Sequence, residues 1–237
     1  FGFCRVDFAV VFFFAGMIFV SVRPPNLVRP NWVWCVTGHP ARRQCGAPFF
    51  ARFPTLLDSR WLRQFNARVP LDKLTIIGAG LLGGSIGLAA RARGLARRVS
   101  ALVRRPESLA ECQALGIANE VTLDPAEAVA GADLVVLCTP ISGMAGLAKR
   151  TLSDLKPGTV ITDVGSTKQQ LVAELTPLCA RAGARFVGSH PMAGSDQTGP
   201  SAARADLFDG TVCVVTPTSD TDADALAAIL KSVFANV

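Results

Sequence analysis

From residue 71 onward, short apolar runs alternate with stretches whose apolar positions repeat at helical spacing. Strand-like runs separated by helices are typical of a parallel sheet covered on both faces. The pattern therefore predicts an α/β fold with a doubly wound, mostly parallel sheet of Rossmann type. The predicted strands cover residues 73–78, 98–103, 118–123, 133–139, 159–164, 185–189 and 211–217, with helices between most of them, one of which spans 168–181, and a last helix beginning near residue 222.

The first 70 residues have a different character. They contain all three Trp and eleven of the fourteen Phe, and their first apolar run covers only residues 8–22. A membrane-spanning helix needs about 20 apolar residues, and no small-residue cleavage site follows this run as it would in a signal peptide. We expect residues 1–70 to lie outside the working fold, as a leader, an upstream extension or a disordered segment; a membrane anchor is the alternative. The boundary near Leu71 leaves a dinucleotide-binding domain over 71–220 and the start of a helical connection over 221–237.

Charge and cysteine usage narrow the possible partners. The net charge of +6 resides in the N-terminal segment, because residues 1–70 hold nine Arg, no Lys and two acids, whereas the remaining residues carry 15 bases and 16 acids. We therefore expect no nucleic-acid or membrane partner for the main domain. The seven cysteines form no CxxC pair and no metal-ligand spacing, which indicates reduced thiols, a cytoplasmic protein and no metal.

A glycine motif follows the first predicted strand of the domain. Gly78, Gly80 and Gly83 form G-x-G-x-x-G between a strand and a helix. In this context the first glycine permits a tight turn, the second lets the backbone approach a pyrophosphate, and the third lets the helix pack closely on the sheet. The pyrophosphate would lie at the helix N-terminus, near Leu81 and Leu82. The motif predicts dinucleotide binding.

The end of the second strand bears on the choice of cofactor. An NAD-binding fold usually offers an acidic residue to the ribose about 20 residues past the motif. This chain has Val103 there, followed by Arg104 and Arg105. Two guanidinium groups favour a phosphate, so NADP is the preferred cofactor and NAD the alternative. Two solvated surface arginines would give the same sequence.

Two further loops follow strands, at the sheet edge where α/β proteins bind ligands. Ser166 and Thr167 follow the fifth strand, where either residue is a candidate to cap the next helix while presenting its hydroxyl to the ligand crevice; plain helix capping is the alternative. His190 follows the sixth strand, with Pro191 fixing the backbone beyond it. A histidine beside a nicotinamide can accept the proton of an alcohol whose carbon loses hydride. His190 is therefore a candidate catalytic base.

Together, the blocks "IIGAGLLGGSIG", "DLVVLCTPI", "TDVGSTK" and "FVGSHPMAGSDQTGPSAARADLFDGTVCVVTPT" resemble the prephenate and arogenate dehydrogenases of tyrosine biosynthesis. The resemblance covers about residues 73–237. It implies NAD(P)-dependent oxidation of the ring carbon that bears the 4-hydroxyl, with loss of CO2. It also implies that His190 is the catalytic histidine and that Ser166 hydrogen-bonds the substrate hydroxyl and the histidine. Thr139 and Pro140, at the end of the second block, are expected to line the cofactor site.

The same resemblance implies a helical C-terminal domain that contacts the substrate carboxylates and forms most of a homodimer interface. The chain ends at Val237, so we expect it to be a fragment that binds cofactor but lacks that domain. Two other functions fit the residues: another NADP-dependent hydroxyacid dehydrogenase, or a non-catalytic dinucleotide-binding fragment. Prephenate and arogenate remain equal candidates for the substrate.

Overall fold

The structure is a computed structural model that describes residues 71–218, Thr221, Ala225 and Ile229, and the backbone of four short strands within residues 4–36. A six-stranded parallel sheet forms its centre. Its strands are β5 (Leu71–Ile77), β6 (Ala96–Leu102), β7 (Glu120–Thr122), β8 (Leu134–Leu137), β9 (Val160–Asp163) and β10 (Arg185–Phe186). They lie in the order β10-β9-β8-β5-β6-β7. This is the doubly wound order, in which the chain builds outward from β5 in one direction and then from β8 in the other.

Five helices within residues 71–218 cover the two faces of this sheet. Alternate residues of each strand point to opposite faces, so Leu74 and Ile76 of β5 join one buried cluster while Ile77 joins the other. The first cluster packs against the first two helices and the second against the other three. The helices are α1 (Leu81–Ala92), α2 (Pro106–Ala114), α3 (Pro125–Val129), α4 (Ile141–Thr151) and α5 (Gln169–Arg181).

The predicted strand over 185–189 is wrong in one respect, because the chain changes sheets within it. After β10 it continues into β11 (Gly188–Pro191), which pairs antiparallel with β12 (Val212–Thr216). Hydrophobic alternation predicts an extended backbone but not its pairing partner. The change occurs at Gly188, where an added Cβ would lie 3.1 Å from Val172 and 3.2 Å from Lys168. The predicted last helix falls largely outside the described residues, of which Ala225 and Ile229 are helical.

Four strands of the N-terminal segment extend the second sheet. The first three pairings are antiparallel, and the fourth strand pairs parallel with β12. That residues 1–70 lie outside the working fold stays a prediction. No helix in the described part of the chain is both long and apolar enough to cross a membrane. The strands are β1 (Cys4–Val6), β2 (Ala9–Phe14), β3 (Met17–Val22) and β4 (Asn31–Val36).

A carboxylate fixes the amino edge of the parallel sheet. Asp133, just before β8, accepts hydrogen bonds from the backbone N–H groups of Asp72 (2.6 Å) and Lys73 (3.0 Å), and its other oxygen pairs with Lys156. Burial acts to raise the pKa of Asp133, but the hydrogen bonds from Lys156, Lys73 and Asp72 outweigh it, so the pKa is lowered. The carboxylate therefore joins the starts of β5 and β8.

We expect Asp133→Asn to lower the free energy of unfolding by about 1 kcal/mol near neutral pH, because the amide oxygen still accepts the two backbone N–H groups but the pairing with Lys156 is lost. A group with a lowered folded-state pKa stabilises the fold above its unfolded value and loses this contribution as the pH falls through the folded value. The difference between the two chains should therefore shrink as the pH falls below 3.8. Urea unfolding at several pH values measures this difference.

Asp72→Asn, which removes an exposed pair with Arg97, is the control and should change the free energy of unfolding little. A pH-independent difference would contradict the assignment.

Candidate functional site

The glycine motif forms a close contact between β5 and α1. Gly78 has φ +97°, which favours glycine, and a Cβ there would lie 2.8 Å from Cγ2 of Thr139. A Cβ on Gly83 would overlap the carbonyl oxygen of Gly78, so the helix packs on the loop with no room for a side chain. Gly80 differs, because an added Cβ would meet nothing within 4 Å. The loop is therefore packed at its first and third glycines and open at its second.

The N-terminus of α1 points into this open space. Gly80 is its N-cap and offers no side-chain cap, and no acidic residue lies in the first turn. The N–H of Gly84 donates to the carbonyl of Gly80 at 2.7 Å, which leaves the N–H groups of Leu81, Leu82 and Gly83 without an acceptor inside the helix. Free N–H groups and the helix dipole favour an anion such as a pyrophosphate.

The open space beside Gly80 is a crevice between β5 and β8, and its opposite wall is the end of β8. Thr139 and Pro140 lie between β8 and α4, with Pro140 exposed as the N-cap of α4. The hydroxyl oxygen of Thr139 is buried and has no hydrogen-bond partner in the described part of the chain. An unpartnered buried hydroxyl is costly unless a ligand satisfies it. The donors of α1, the open position at Gly80 and this hydroxyl fit a bound dinucleotide between β5 and β8, where the strand order reverses.

The end of β6 carries the residues expected to select the cofactor. Val103 follows β6 and is buried, whereas Arg104 and Arg105 are exposed. Arg105 is the N-cap of α2 but makes no capping bond with its side chain. Glu107, which the sequence reasoning did not weigh, is a carboxylate in the first turn of the same helix. Both cations are therefore available to a ligand, close in sequence to one acidic side chain.

A buried carboxylate that sequence reasoning missed lies at the end of β9. Asp163 is fully buried and pairs with Lys168. It accepts hydrogen bonds from the N–H of Gly165 at 2.8 Å and from the N–H of Ser189 at 3.2 Å. Lys168 also donates to the carbonyl of Ser189 at 2.7 Å. The "TDVGSTK" block contains both charged residues, but its pattern does not reveal that they contact Ser189, the residue before His190.

Ser166 and His190 lie on the two segments that this carboxylate joins. Ser166 is exposed on the loop between β9 and α5, and His190 is partly buried on β11, opposite Val214 of β12. No hydrogen bond joins the two side chains within the described residues. The expected capping by Ser166 or Thr167 is wrong, because α5 begins at Gln169 with Lys168 as an N-cap that makes no side-chain capping bond.

The loop bearing Ser166 also contacts the wall of the crevice. A Cβ on Gly165 would lie 2.9 Å from Cγ1 of Ile141, the first residue of α4. Ile141 directly follows Thr139 and Pro140. Contacts therefore run continuously from the crevice through Gly165 and Asp163 to Ser189, which precedes His190.

The surroundings of His190 favour its neutral form. Burial lowers the pKa of His190 from the ordinary value of 6.5, and the positive charge of Lys168 lowers it further, while Asp163 acts in the opposite direction. A neutral imidazole is the form that accepts a proton. Burial also raises the pKa of Asp163 and lowers that of Lys168. The charge of Lys168 acts to lower the pKa of Asp163, and the charge of Asp163 acts to raise the pKa of Lys168.

Within the part of the chain that the structure describes, no group of three or more His, Cys, Asp or Glu side chains is arranged to hold a metal ion. Of the described cysteines, Cys112, Cys138 and Cys179 are free thiols.

The strand order and the crevice define a Rossmann-type nucleotide-binding domain. Residues 86–237 match the family model described as prephenate dehydrogenase, nucleotide-binding domain. The chain therefore belongs to the prephenate dehydrogenase family.

Individual relatives agree with this membership. The chain is 35% identical to a cyclohexadienyl dehydrogenase of Zymomonas mobilis over 156 residues, which are 66% of this chain and 53% of that protein. It is similar to the crystal structure of prephenate dehydrogenase from A. aeolicus in complex with hydroxyphenyl propionate and NAD+, with a TM-score of 0.64, 29% identity, and coverage of 69% of this chain and 57% of the other. It is similar also to Synechocystis arogenate dehydrogenase, with a TM-score of 0.63, 29% identity, and coverage of 69% and 56%. The chain spans about half the length of the curated relatives it matches.

The contrast between the second and third glycines of the motif gives a test of the crevice. We expect Gly80→Ala to leave the free energy of unfolding nearly unchanged, since its Cβ meets nothing, but to raise the Kd for dinucleotide about tenfold or more by occupying the space a pyrophosphate would need. Gly83→Ala should destabilise the fold by about 2 kcal/mol, because the helix must move off the loop. Urea unfolding and fluorescence titration with reduced dinucleotide measure the two effects.

The control is Gly146→Ala in α4, where an added Cβ also meets nothing within 4 Å. It should stabilise the fold slightly through helix propensity and leave the Kd unchanged. If Gly80→Ala bound dinucleotide as tightly as the unaltered chain, the pyrophosphate would lie elsewhere.

Proposed function

We propose that this chain is the nucleotide-binding part of an enzyme that oxidatively decarboxylates prephenate, arogenate or both, with NAD(P)+ as oxidant, in tyrosine biosynthesis. The observation that carries the proposal is the continuous set of contacts from the dinucleotide crevice to the strand of His190, in a chain of this family. The relatives named above include a prephenate, an arogenate and a cyclohexadienyl dehydrogenase.

We assign the binding of the cofactor to the two walls of the crevice. The N–H groups of Leu81, Leu82 and Gly83 hold the pyrophosphate beside Gly78 and Gly80, and Thr139 and Pro140 line the opposite side. The bound nicotinamide supplies a hydride acceptor. Arg104 and Arg105 bind a 2′-phosphate, which makes NADP the preferred form.

We assign proton transfer to His190. It accepts the proton of the substrate's 4-hydroxyl as the carbon bearing that hydroxyl gives up hydride, and its lowered pKa keeps it neutral for this task. Ser166 donates to or accepts from the same hydroxyl and so orients it. Loss of CO2 then yields an aromatic ring, which makes the overall reaction favourable. The substrate is a small molecule. We propose a homodimer, as the resemblance implies, and a cytoplasmic location, as the cysteine usage indicates.

We expect a chain extended through a C-terminal helical domain to reduce NAD(P)+ with prephenate or arogenate, and His190→Asn to lower its kcat by about 100-fold or more, because the general base is lost. The acid limb of kcat/KM should lie below pH 6.5, since the pKa of His190 is lowered. Absorbance of the reduced cofactor at a series of pH values measures both.

His39→Asn, which changes the other histidine of the chain, is the matched control and should keep full activity. Absence of reduced cofactor with both substrates would refute the proposal. Near-full activity of His190→Asn would favour a hydroxyacid dehydrogenase that uses a different base.

We expect the Kd for NADP to be lower than that for NAD, because Val103 cannot hydrogen-bond ribose hydroxyls and two guanidinium groups follow it. Arg104→Ala and Arg105→Ala should each raise the Kd for NADP several-fold while changing that for NAD little. Arg150→Ala, another exposed cation in the last turn of α4, is the control. Equal or reversed affinities for the two cofactors in the unaltered chain would show that the arginines do not select the phosphate.

A further inference from the structure

Ser166 and His190 are 24 positions apart in sequence. Ser166 lies on the loop after β9 of the parallel sheet, whereas His190 lies on β11 of the other sheet, so a separate interaction has to hold them in register. The parallel ladder between β9 and β10 ends at Phe186, after which the N–H of Val187 still donates to the carbonyl of Ile161 at 3.0 Å. Beyond that point β11 is paired with β12 instead. The strand of His190 therefore lacks ladder hydrogen bonds to β9 at the level where the site begins.

Asp163 supplies the missing connection. One carboxylate oxygen accepts the N–H of Ser189, and the other accepts the N–H of Gly165 and pairs with Lys168. The hydroxyl of Ser189 donates to the backbone carbonyl of Asp163 at 2.6 Å and lies 2.9 Å from the hydroxyl of Thr162. Both Ser189 and Asp163 are fully buried, so no water replaces these bonds.

We propose that Asp163 is a positioning residue, whose carboxylate holds the His190 strand and the Ser166 loop together at the edge of the dinucleotide crevice. The inference rests on the proposed function, because it takes Ser166 and His190 as the catalytic groups. Asp163 itself is assigned no contact with substrate or cofactor. It acts through the residues next to the two candidate catalytic groups, namely Ser189 before His190 and Gly165 before Ser166.

The charges around His190 agree with this role. From the β9 side, Asp163 and Lys168 face His190 with opposite effects, and from β12 the neighbouring residue is Val214, with Cys213 beside Lys168. A carboxylate that only stabilised the fold would not need to lie between the His190 strand and the Ser166 loop. Asp133 is such a carboxylate, since it also accepts two backbone N–H groups and pairs with a lysine, but at the opposite edge of the same sheet.

Asp163→Asn tests the proposal, with Asp133→Asn as the matched control. The single amide oxygen best replaces the carboxylate oxygen that faces Lys168 and Gly165, so the N–H of Ser189 loses its acceptor. We expect hydrogen exchange of the Ser189 amide to become at least about tenfold faster than in Asp133→Asn. We also expect His190 to titrate at lower pH, because a compensating negative charge is gone.

Nuclear magnetic resonance measures both quantities on this chain without turnover. The chain has two histidines, and His39→Asn identifies the ring signals of His190. Lys168→Gln provides a second variant if Asp163→Asn does not fold. It should shift the titration of His190 to higher pH while the Ser189 amide stays protected, because the carboxylate still accepts it.

An unchanged Ser189 exchange rate or an unchanged His190 titration in Asp163→Asn overturns the proposal. Loss of Ser189 protection in Lys168→Gln also overturns the proposal, since the lysine would then be the group that joins the His190 strand to the Ser166 loop. Because none of these measurements depends on substrate, failure of the extended enzyme to oxidise prephenate or arogenate leaves them interpretable.

Discussion

The close packing of Gly83 on the carbonyl of Gly78 is the constraint on which the crevice depends. It brings α1 against the end of β5 with no intervening side chain, and so directs three free N–H groups into the gap between β5 and β8. Thr139 approaches the same loop from β8, which leaves its hydroxyl buried. A dinucleotide site follows from this contact because the fork between β5 and β8 is also where the winding of the sheet reverses.

Two carboxylates, one partly and one fully buried, fix the opposite edges of the parallel sheet in similar ways. Asp133 joins the amino ends of β5 and β8, and Asp163 joins the carboxyl end of β9 to β11. Each accepts two backbone N–H groups and pairs with a lysine, an arrangement that satisfies a carboxylate removed from water. They differ in exposure: the Asp163 side chain is wholly buried, whereas that of Asp133 is 25% exposed. The deeper carboxylate lies at the edge where the candidate catalytic groups are, so its charge acts on them with less screening.

Local patterns in the sequence predicted much of this fold, for physical reasons that also explain the failures. The glycines at 78, 80 and 83 and the alternation of strands and helices are local features, and the doubly wound sheet follows from them. The change of sheet at Gly188 depends on which strand lies beside it, and β12 begins more than twenty residues later. The helix after β9 begins later than expected, and the side chain of its N-cap, Lys168, turns inward to Asp163 instead of outward to water. The Asp163 contacts with Ser189 span 26 positions, so no spacing rule reveals them.

Burial, the charge of Lys168 and the contacts of Asp163 all act at His190. A general base must be neutral before it accepts a proton, and burial together with Lys168 favours the neutral ring. Burial of the same lysine without a partner would be costly, and Asp163 both compensates its charge and limits the fall in the histidine pKa. The group that neutralises the lysine is also the group that accepts the N–H of Ser189. Electrostatic balance and strand position at His190 therefore both depend on one carboxylate.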